Sequence, residues 1–106
     1  MVTIEEFQKL DLRTAKILEV EEHPNASKLY VLKISFGDEE RQIVAGIRPY
    51  YSKEDLIGRT IIVVKNLEPA VLRGVISEGM LLAASDDKNV ILLTTEKEIK
   101  ENAKIK

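Results

Sequence analysis

Hydrophobic and polar residues alternate along much of this chain with the period of two that is typical of β-strands. Every second residue from Tyr30 to Phe36 is a large apolar side chain, and residues 41–45 return after a Gly37-Asp38-Glu39 turn. This pattern predicts a hairpin of two strands. The β-branched run from Ile61 to Val64, within residues 59–67, predicts a further, buried strand.

Residues 12–21 alternate less regularly, and the phase breaks at Ile17-Leu18. A β-bulge inserts one extra residue into a strand, so a long bulged strand explains the break. An α-helix is the competing interpretation for this stretch, because Ala, Lys, Leu and Glu all favour helices.

Two short helices are predicted. Thr3 and Glu6 form a capping-box pattern before a helix that ends near Leu10. Residues 49–56 form the second, because Ser52 can cap it and Gly58 can stop it.

Beyond the buried strand, residues 68–79 are expected to form a shaped rim beside the sheet. Strands are then predicted at 80–84 and 90–94, with a turn at 86–89. The charged last dozen residues are expected to be helical or loosely held.

The order of these elements predicts the fold class. Three strands, a short helix and then two or more strands is the order of the OB-fold, a five-stranded Greek-key barrel. We therefore expect an all-β OB-fold with a short helix between strands 3 and 4 and short flanking elements. A length of 106 residues fits a single domain, which we place at 1–106 with a core at about 7–95.

The amino-acid composition indicates the cellular compartment. The chain has no cysteine, which excludes disulfides and thiolate chemistry and suits the cytoplasm. Residues 1–6 are acidic with no apolar run behind them, so no signal peptide is predicted. No stretch approaches the length of a membrane span.

The charge is unevenly distributed. The net charge is −2, but residues 41–73 carry six Lys or Arg against three Asp or Glu, including four of the five arginines. The local field decides where a polyanion binds, so the middle third of the chain is a candidate surface for nucleic acid. Judged by charge alone, a solvated charged surface that binds no partner is an equally good interpretation of this segment.

Signatures of catalysis are missing from the sequence. His23 is the only histidine, and its place beside Pro24 in a turn predicts a surface residue rather than an acid–base group. Residues 86–89 lack the spaced ligands of a calcium loop, and Gly74 and Gly79 do not match a phosphate-binding loop. We therefore expect no enzyme activity, no metal and no cofactor.

Residues 72–80 are the strongest candidate for a binding surface. They are too polar and too rich in glycine for a core strand, and too apolar for a linker. RNA binding in an OB-fold needs cations, polar groups and soft apolar groups near the loops. Such groups occur in the 23–28 turn, on the third strand and in the rim: Asn25, Ser27, Lys28, Arg41, Arg73, Ser77, Glu78 and Met80.

Each of these residues also has a structural interpretation: Arg73 can pair with Glu68 or Glu78, and Met80 can fill the core. Aromatic side chains are scarce, and Tyr30 and Phe36 are expected in the core. This favours a folded RNA over a long single strand as the ligand.

Three blocks of the sequence carry a family resemblance: HPNASKLYVLKI (23–34), RQIVAGI (41–47) and LEPAVLRGVISEGMLLAA (67–84). They resemble the tRNA-binding domain of structure-specific tRNA-binding proteins. That family includes the C-terminal domain, or separate β subunit, of methionyl-tRNA synthetase. The similarity extends from about Phe7 to Thr95.

The resemblance implies a non-catalytic homodimer that binds tRNA by shape, as a β subunit or trans-acting module of methionyl-tRNA synthetase. It implies dimerisation through residues 1–10 and those after Ala84, and the catalytic subunit of the synthetase as a further partner. The RNA-binding residues it implies are Asn25, Lys28, Arg41, Arg73, Ser77 and Met80.

The sequence departs from the family pattern in places. Val71 stands where relatives often have lysine, Ile76 where they often have a charged residue, and Ser27 where aspartate is frequent. Without a lysine at 71 we expect modest affinity for phosphates. An export-related chaperone of the same fold that binds polypeptide is the alternative, and an exposed apolar groove would favour it.

Overall fold

The computed structural model describes all of residues 1–106 as a mostly β protein. Its elements are α1 (Ile4–Phe7), β1 (Leu12–Glu22), β2 (Tyr30–Ser35), β3 (Glu40–Ala45), α2 (Lys53–Leu56), β4 (Thr60–Val64), β5 (Ala70–Leu72), β6 (Val75–Ser77), β7 (Met80–Leu81), β8 (Ala83–Ser85) and β9 (Val90–Leu92). Both helices are single turns, and no helix is long and apolar enough to cross a membrane.

Five antiparallel strands form the main sheet, in the order β3-β2-β1-β4-β7. The long β1 pairs with β4 through Leu12–Lys16 and with β2 through Lys16–Glu22, so it links the two halves of the sheet. The register with β2 shifts between Ile17 and Glu19. The bulge predicted at Ile17-Leu18 is therefore confirmed, and the helical alternative for this stretch is wrong.

Residues 76–79 form hydrogen bonds to β3 through both backbone and side chains, and these bonds curl the sheet. The Glu78 amide donates to the Gln42 carbonyl at 2.9 Å, and Gln42 Nε2 donates to the Ile76 carbonyl at 2.8 Å. The Val44 amide donates to Ser77 Oγ at 2.9 Å. The two edges of the sheet are thus brought together, and the predicted all-β barrel of OB type is confirmed.

One hydrophobic core fills the inside of the curled sheet. Phe36 is 1 % exposed and Tyr30 is 5 % exposed, so their predicted place in the core is confirmed. The Tyr30 hydroxyl donates to the Tyr51 carbonyl at 2.7 Å, which satisfies its polar end. Gly79 has a φ of 139°, and an added Cβ would lie 3.1 Å from the Val64 carbonyl. Only glycine therefore fits where the chain enters β7.

The helix caps follow the sequence prediction. Thr3 Oγ1 accepts from the Glu6 amide at 3.2 Å, and the Glu6 carboxylate accepts from the Thr3 amide at 3.3 Å. Ser52 Oγ accepts from the Asp55 amide at 3.2 Å. Both helices are shorter than predicted, and α1 ends at Phe7 rather than near Leu10.

Two predictions for the second half of the chain are wrong in detail. Residues 68–79, for which no strand was predicted, contain a hairpin of β5 and β6. The predicted strand at 80–84 changes partner at Leu82, whose amide bonds to Ile62 and whose carbonyl bonds to Leu93. The chain is therefore divided into β7 and β8.

The C-terminal segment is neither helical nor loose, which corrects the expectation for the last dozen residues. Lys104 forms a β-bridge with Arg13, and the Asn102 amide donates to the Thr14 carbonyl at 2.8 Å. Ala103 is buried. The segment occupies the edge of β1 that neither β2 nor β4 covers.

Candidate nucleic-acid interface

The β5–β6 hairpin ends in a turn whose two central residues both have positive φ. Arg73 has a φ of 53° and Gly74 a φ of 88°, between the paired residues Leu72 and Val75. These angles define a two-residue type I′ turn, whose twist matches that of the flanking strands. The turn presents the exposed Arg73 side chain at the tip of the hairpin.

His23 connects this hairpin to the loop between β1 and β2. Its ring is 3 % exposed, with Nε2 2.9 Å from the Leu72 carbonyl oxygen and Nδ1 3.0 Å from the Asn25 amide. The Asn25 amide can only donate, so Nδ1 is the acceptor and Nε2 carries the proton donated to Leu72. The prediction that His23 is a surface residue is wrong, because the residue is buried and its ring nitrogens bond to the backbone of Asn25 in its own loop and of Leu72 in β5.

A second hydrogen bond joins the same two loops. Asn25 Nδ2 donates to the Arg73 carbonyl at 3.4 Å. We call these two contacts, His23 to Leu72 and Asn25 to Arg73, the loop clasp. It fixes the tip of the hairpin against the 23–29 loop, so Asn25, Lys28 and Arg73 lie at the same end of the barrel.

Arg48 also supports the 23–29 loop. Its guanidinium donates to the Ala26 carbonyl at 3.3 Å and to the Glu22 carboxylate at 2.9 Å. Sequence reasoning missed this role of Arg48, because its partners are a loop carbonyl and a residue 26 positions away. Its charge stabilises the loop and is offset by Glu22.

Lys28 and Arg73 are exposed cations without an ion pair. Arg73 does not pair with Glu68 or Glu78, and the six ion pairs of the structure include neither cation. Both charges are therefore available to an anionic partner, at the two loops that the clasp joins.

Arg41, by contrast, is occupied by contacts within the protein. Its Nη1 donates to the Lys65 carbonyl at 2.6 Å, and its Nε lies 3.2 Å from the Glu39 carboxylate. The guanidinium is 5.4 Å and the Lys65 ammonium 4.5 Å from the centre of the Phe36 ring. Hydrogen bonds from Arg41 and then Lys65 hold the pKa of Glu39 below its usual range. This carboxylate therefore stays ionised and offsets part of the positive charge.

The two remaining candidates differ in accessibility. Ser77 is 4 % exposed; its hydroxyl accepts from the Val44 amide and donates to the Gly79 carbonyl, both at 2.9 Å. Its placement does not support direct contact with a ligand. Met80 is 47 % exposed.

An apolar groove of about 380 Å³ lies between the hairpin and β7. Its lining includes Leu67, Ala70, Leu72, Met80 and Leu81. The hairpin also exposes a cross-strand apolar pair on its outer side, Val71 opposite Ile76. The rim predicted from the sequence is therefore a surface with one cation and a large apolar part.

The outer surface of β1 to β3 has the opposite charge. Glu19, Glu21 and Glu40 are exposed there, and Lys33 lies 3.8 Å from Glu19 and 3.7 Å from Glu40. A polyanion is therefore repelled along the sheet and attracted at the clasped loops.

Comparisons with known proteins identify relatives of nearly the whole chain. The model of the family described as putative tRNA binding domain matches residues 12–104. Methionine–tRNA ligase of Thermococcus onnurineus is 55 % identical over 105 residues, which cover 99 % of this chain and 14 % of that protein. The enzyme of Methanocaldococcus jannaschii is 50 % identical over 106 residues, 99 % of this chain and 16 % of that protein. The chain thus spans about a seventh of the length of these relatives.

Two solved structures are similar over their whole length. A methionyl-tRNA synthetase-related protein from Pyrococcus horikoshii has a TM-score of 0.92 and 33 % identity, covering 99 % of this chain and 97 % of that one. The CsaA chaperone from Picrophilus torridus has a TM-score of 0.93 and 37 % identity, covering 100 % of both chains. The match of the family model to most of the chain shows that this protein belongs to the tRNA-binding domain family.

Proposed function

We propose that this protein binds tRNA by shape and phosphate contacts, without catalysis of its own, at the barrel end that carries the loop clasp. The observation that carries the proposal is the position of Lys28 and Arg73. Both are exposed cations without ion pairs, on two loops held together by hydrogen bonds. We further propose that it acts in the cytoplasm as a β subunit or trans-acting tRNA-binding module of methionyl-tRNA synthetase.

The candidate residues have different proposed roles. Lys28 and Arg73 contact phosphates, because phosphate contacts supply most of the affinity in shape-based recognition. Asn25 holds the hairpin tip and presents its remaining polar atoms beside it. Met80 offers an apolar surface to a sugar or a base. Arg41 contributes only through the electrostatic field of its positive charge, at the edge of the binding surface. Ser77 acts indirectly, because its hydrogen bonds help to close the barrel.

The proposed assembly is a homodimer that also contacts a synthetase catalytic subunit. Supporting it, α1 has no buried residue, and Ile4, Phe7 and Leu10 expose large apolar side chains. Ile91 and Leu93, beyond Ala84, are also exposed. These are the two segments that the family resemblance implies for dimerisation.

Titration of the protein with total tRNA in a gel-shift assay across a salt series tests the proposal. We expect a complex at low salt that weakens as salt rises, because phosphate contacts release counterions. Arg73→Ala and Lys28→Ala should each weaken binding and lower the salt slope by about 1. Lys16→Ala, an exposed cation on β1 outside both dimerisation segments, is the control and should bind as the unmodified protein does. Absence of a complex at low salt would overturn the proposal.

A second candidate function is the binding of unfolded polypeptide. The exposed apolar groove beside β7 favours it, and so does the similarity to the CsaA chaperone structure. The groove shares Leu72 and Met80 with the proposed tRNA surface, so an apolar polypeptide should compete with tRNA. Reduced, unfolded casein added to the tRNA titration checks this: binding of casein without any binding of tRNA would favour the chaperone function.

A further inference from the structure

His23 is a buried histidine, 3 % exposed, that the proposed binding chemistry does not use. Its ring bonds to the Asn25 amide in its own loop and to the carbonyl of Leu72, which lies 49 residues away in sequence at the end of β5. We propose that His23 is a positioning residue for tRNA binding, which holds Arg73 beside Lys28 through the loop clasp. The inference rests on the proposed function and deepens it.

The β5–β6 hairpin needs such a contact to have a fixed direction. Each of its strands has three residues, and of these six residues only Ser77 is buried. A two-stranded hairpin of this kind is at best marginally stable alone. Ser77 and the Ile76 carbonyl anchor its base to β3, whereas the clasp is its hydrogen-bonded support near the tip.

The order of the hairpin tip, and with it the position of Arg73, then depends on the loop clasp. With the clasp formed, the tip is ordered before tRNA arrives, and its cation faces the same partner as Lys28. Without the clasp, the hairpin must become ordered when tRNA binds, and this entropic cost lowers the net affinity for tRNA. His23 therefore affects tRNA through Arg73 and does not touch it.

Two substitutions separate the two hydrogen bonds of the ring. In His23→Asn the amide oxygen can replace Nδ1 as acceptor for the Asn25 amide, but the side chain is too short to reach the Leu72 carbonyl. In His23→Gln the amide nitrogen can replace Nε2 as donor to Leu72. We expect His23→Asn to weaken tRNA binding about tenfold, roughly the effect of one lost hydrogen bond, and His23→Gln to restore most of the affinity.

A double-mutant cycle with Arg73→Ala provides a measurement that a purely structural role would not change. If His23 acts through Arg73, removing Arg73 should cost much less affinity in the His23→Asn protein than in the unmodified one. Additive effects, or equal affinities of the Asn and Gln variants, would overturn the inference. Circular dichroism checks folding first; if His23→Asn does not fold, Asn25→Ala removes the second clasp bond and enters the same cycle.

Amide hydrogen exchange distinguishes a failure of this inference from a failure of the proposed function. The backbone amides of Leu72 and Val75, the paired residues that flank the turn, should exchange faster in His23→Asn than in His23→Gln, with no RNA present. If the unmodified protein does not bind tRNA, the proposed function fails whatever the exchange rates are. If it binds tRNA but the exchange rates of the two variants are equal, His23 does not position the hairpin.

Discussion

Arg73 occupies the left-handed region of backbone space, with a φ of 53°. A side chain with a Cβ adopts this conformation at a cost of about 1–2 kcal/mol, and only Gly, Asn and Asp adopt it routinely. The type I′ turn requires it at this position, where asparagine before glycine is the favoured pair. A strained arginine at an exposed tip, without an ion pair, is best explained by a use for its charge.

Arg73→Asn should therefore separate stability from binding. We expect the free energy of unfolding in urea to rise by about 0.5–1 kcal/mol, because asparagine tolerates the left-handed conformation. Binding of tRNA should fall, because the phosphate contact is lost. Arg73→Lys is the matched control: it should leave stability unchanged and keep most of the affinity. Full tRNA affinity in the asparagine variant would show that the charge of Arg73 has no part in binding.

The roles of single residues in the site could be predicted from the sequence only where the residue type itself indicates the role. Lys28 and Arg73 are found from the sequence because a cation in a loop is visible there. The burial of Ser77 was missed because β6 was not predicted as a strand. The role of His23 was missed because its distant partner is the backbone carbonyl of Leu72, which leaves no trace in the pattern of side chains.

At the scale of elements, the C-terminal segment was the least predictable part of the fold. It has many charged residues and no alternation, which suggested a helix or a loose end. It is instead held by backbone bonds to β1, at the Leu12 and Thr14 carbonyls and the Thr14 amide. Such bonds need no particular side chains. The bulged β1 and the capped α1, in contrast, were predictable because their signals are local.

Thr14 connects this segment to the sheet and provides a test of its importance. It is 1 % exposed; its Oγ1 accepts from the Ala103 amide and donates to the Lys100 carbonyl, both at 2.9 Å. Thr14→Val keeps the shape but leaves both backbone groups without a partner. We expect the free energy of unfolding to fall by about 1–3 kcal/mol, measured by urea denaturation.

The control for this prediction is Thr94→Val. Thr94 is exposed, and its hydroxyl donates to the Thr60 carbonyl at 2.7 Å. Water can replace that bond, so the change in stability should stay within about 0.5 kcal/mol. Equal effects of the two substitutions would mean that the hydroxyl bonds of Thr14 to the C-terminal segment add no more stability than one exposed hydrogen bond.

The whole molecule combines a predictable fold with an unevenly charged surface. The OB-type barrel follows from the order of its strands and from the α2 turn between β3 and β4, which the sequence shows directly. The surface is less predictable, because ion pairing decides which cations remain available: Arg41 and Arg48 are paired, whereas Lys28 and Arg73 are not. With acidic residues on the sheet, a bound tRNA should approach from the end of the barrel.

The proposed homodimer is the last prediction and concerns the other exposed surface. Phe7 is 43 % exposed on α1, lies outside the hydrophobic core and sits beside a groove formed with Lys104 and Ile105. We expect the unmodified protein to sediment as a dimer in analytical ultracentrifugation. Phe7→Asp should sediment as a folded monomer, because it places a charge in the buried contact between copies.

The matched control for dimerisation is Ile57→Asp. Ile57 is 54 % exposed after α2, outside residues 1–10 and outside the segment after Ala84, so this variant should remain dimeric. A dimer carries two copies of the barrel end with the loop clasp, which can bind one tRNA or two. Two linked binding sites bind more tightly than a single site. The Phe7→Asp monomer should therefore bind tRNA more weakly while the salt slope of each site is kept. A monomeric unmodified protein, or equal dissociation of the two variants, would exclude α1 as the dimer contact.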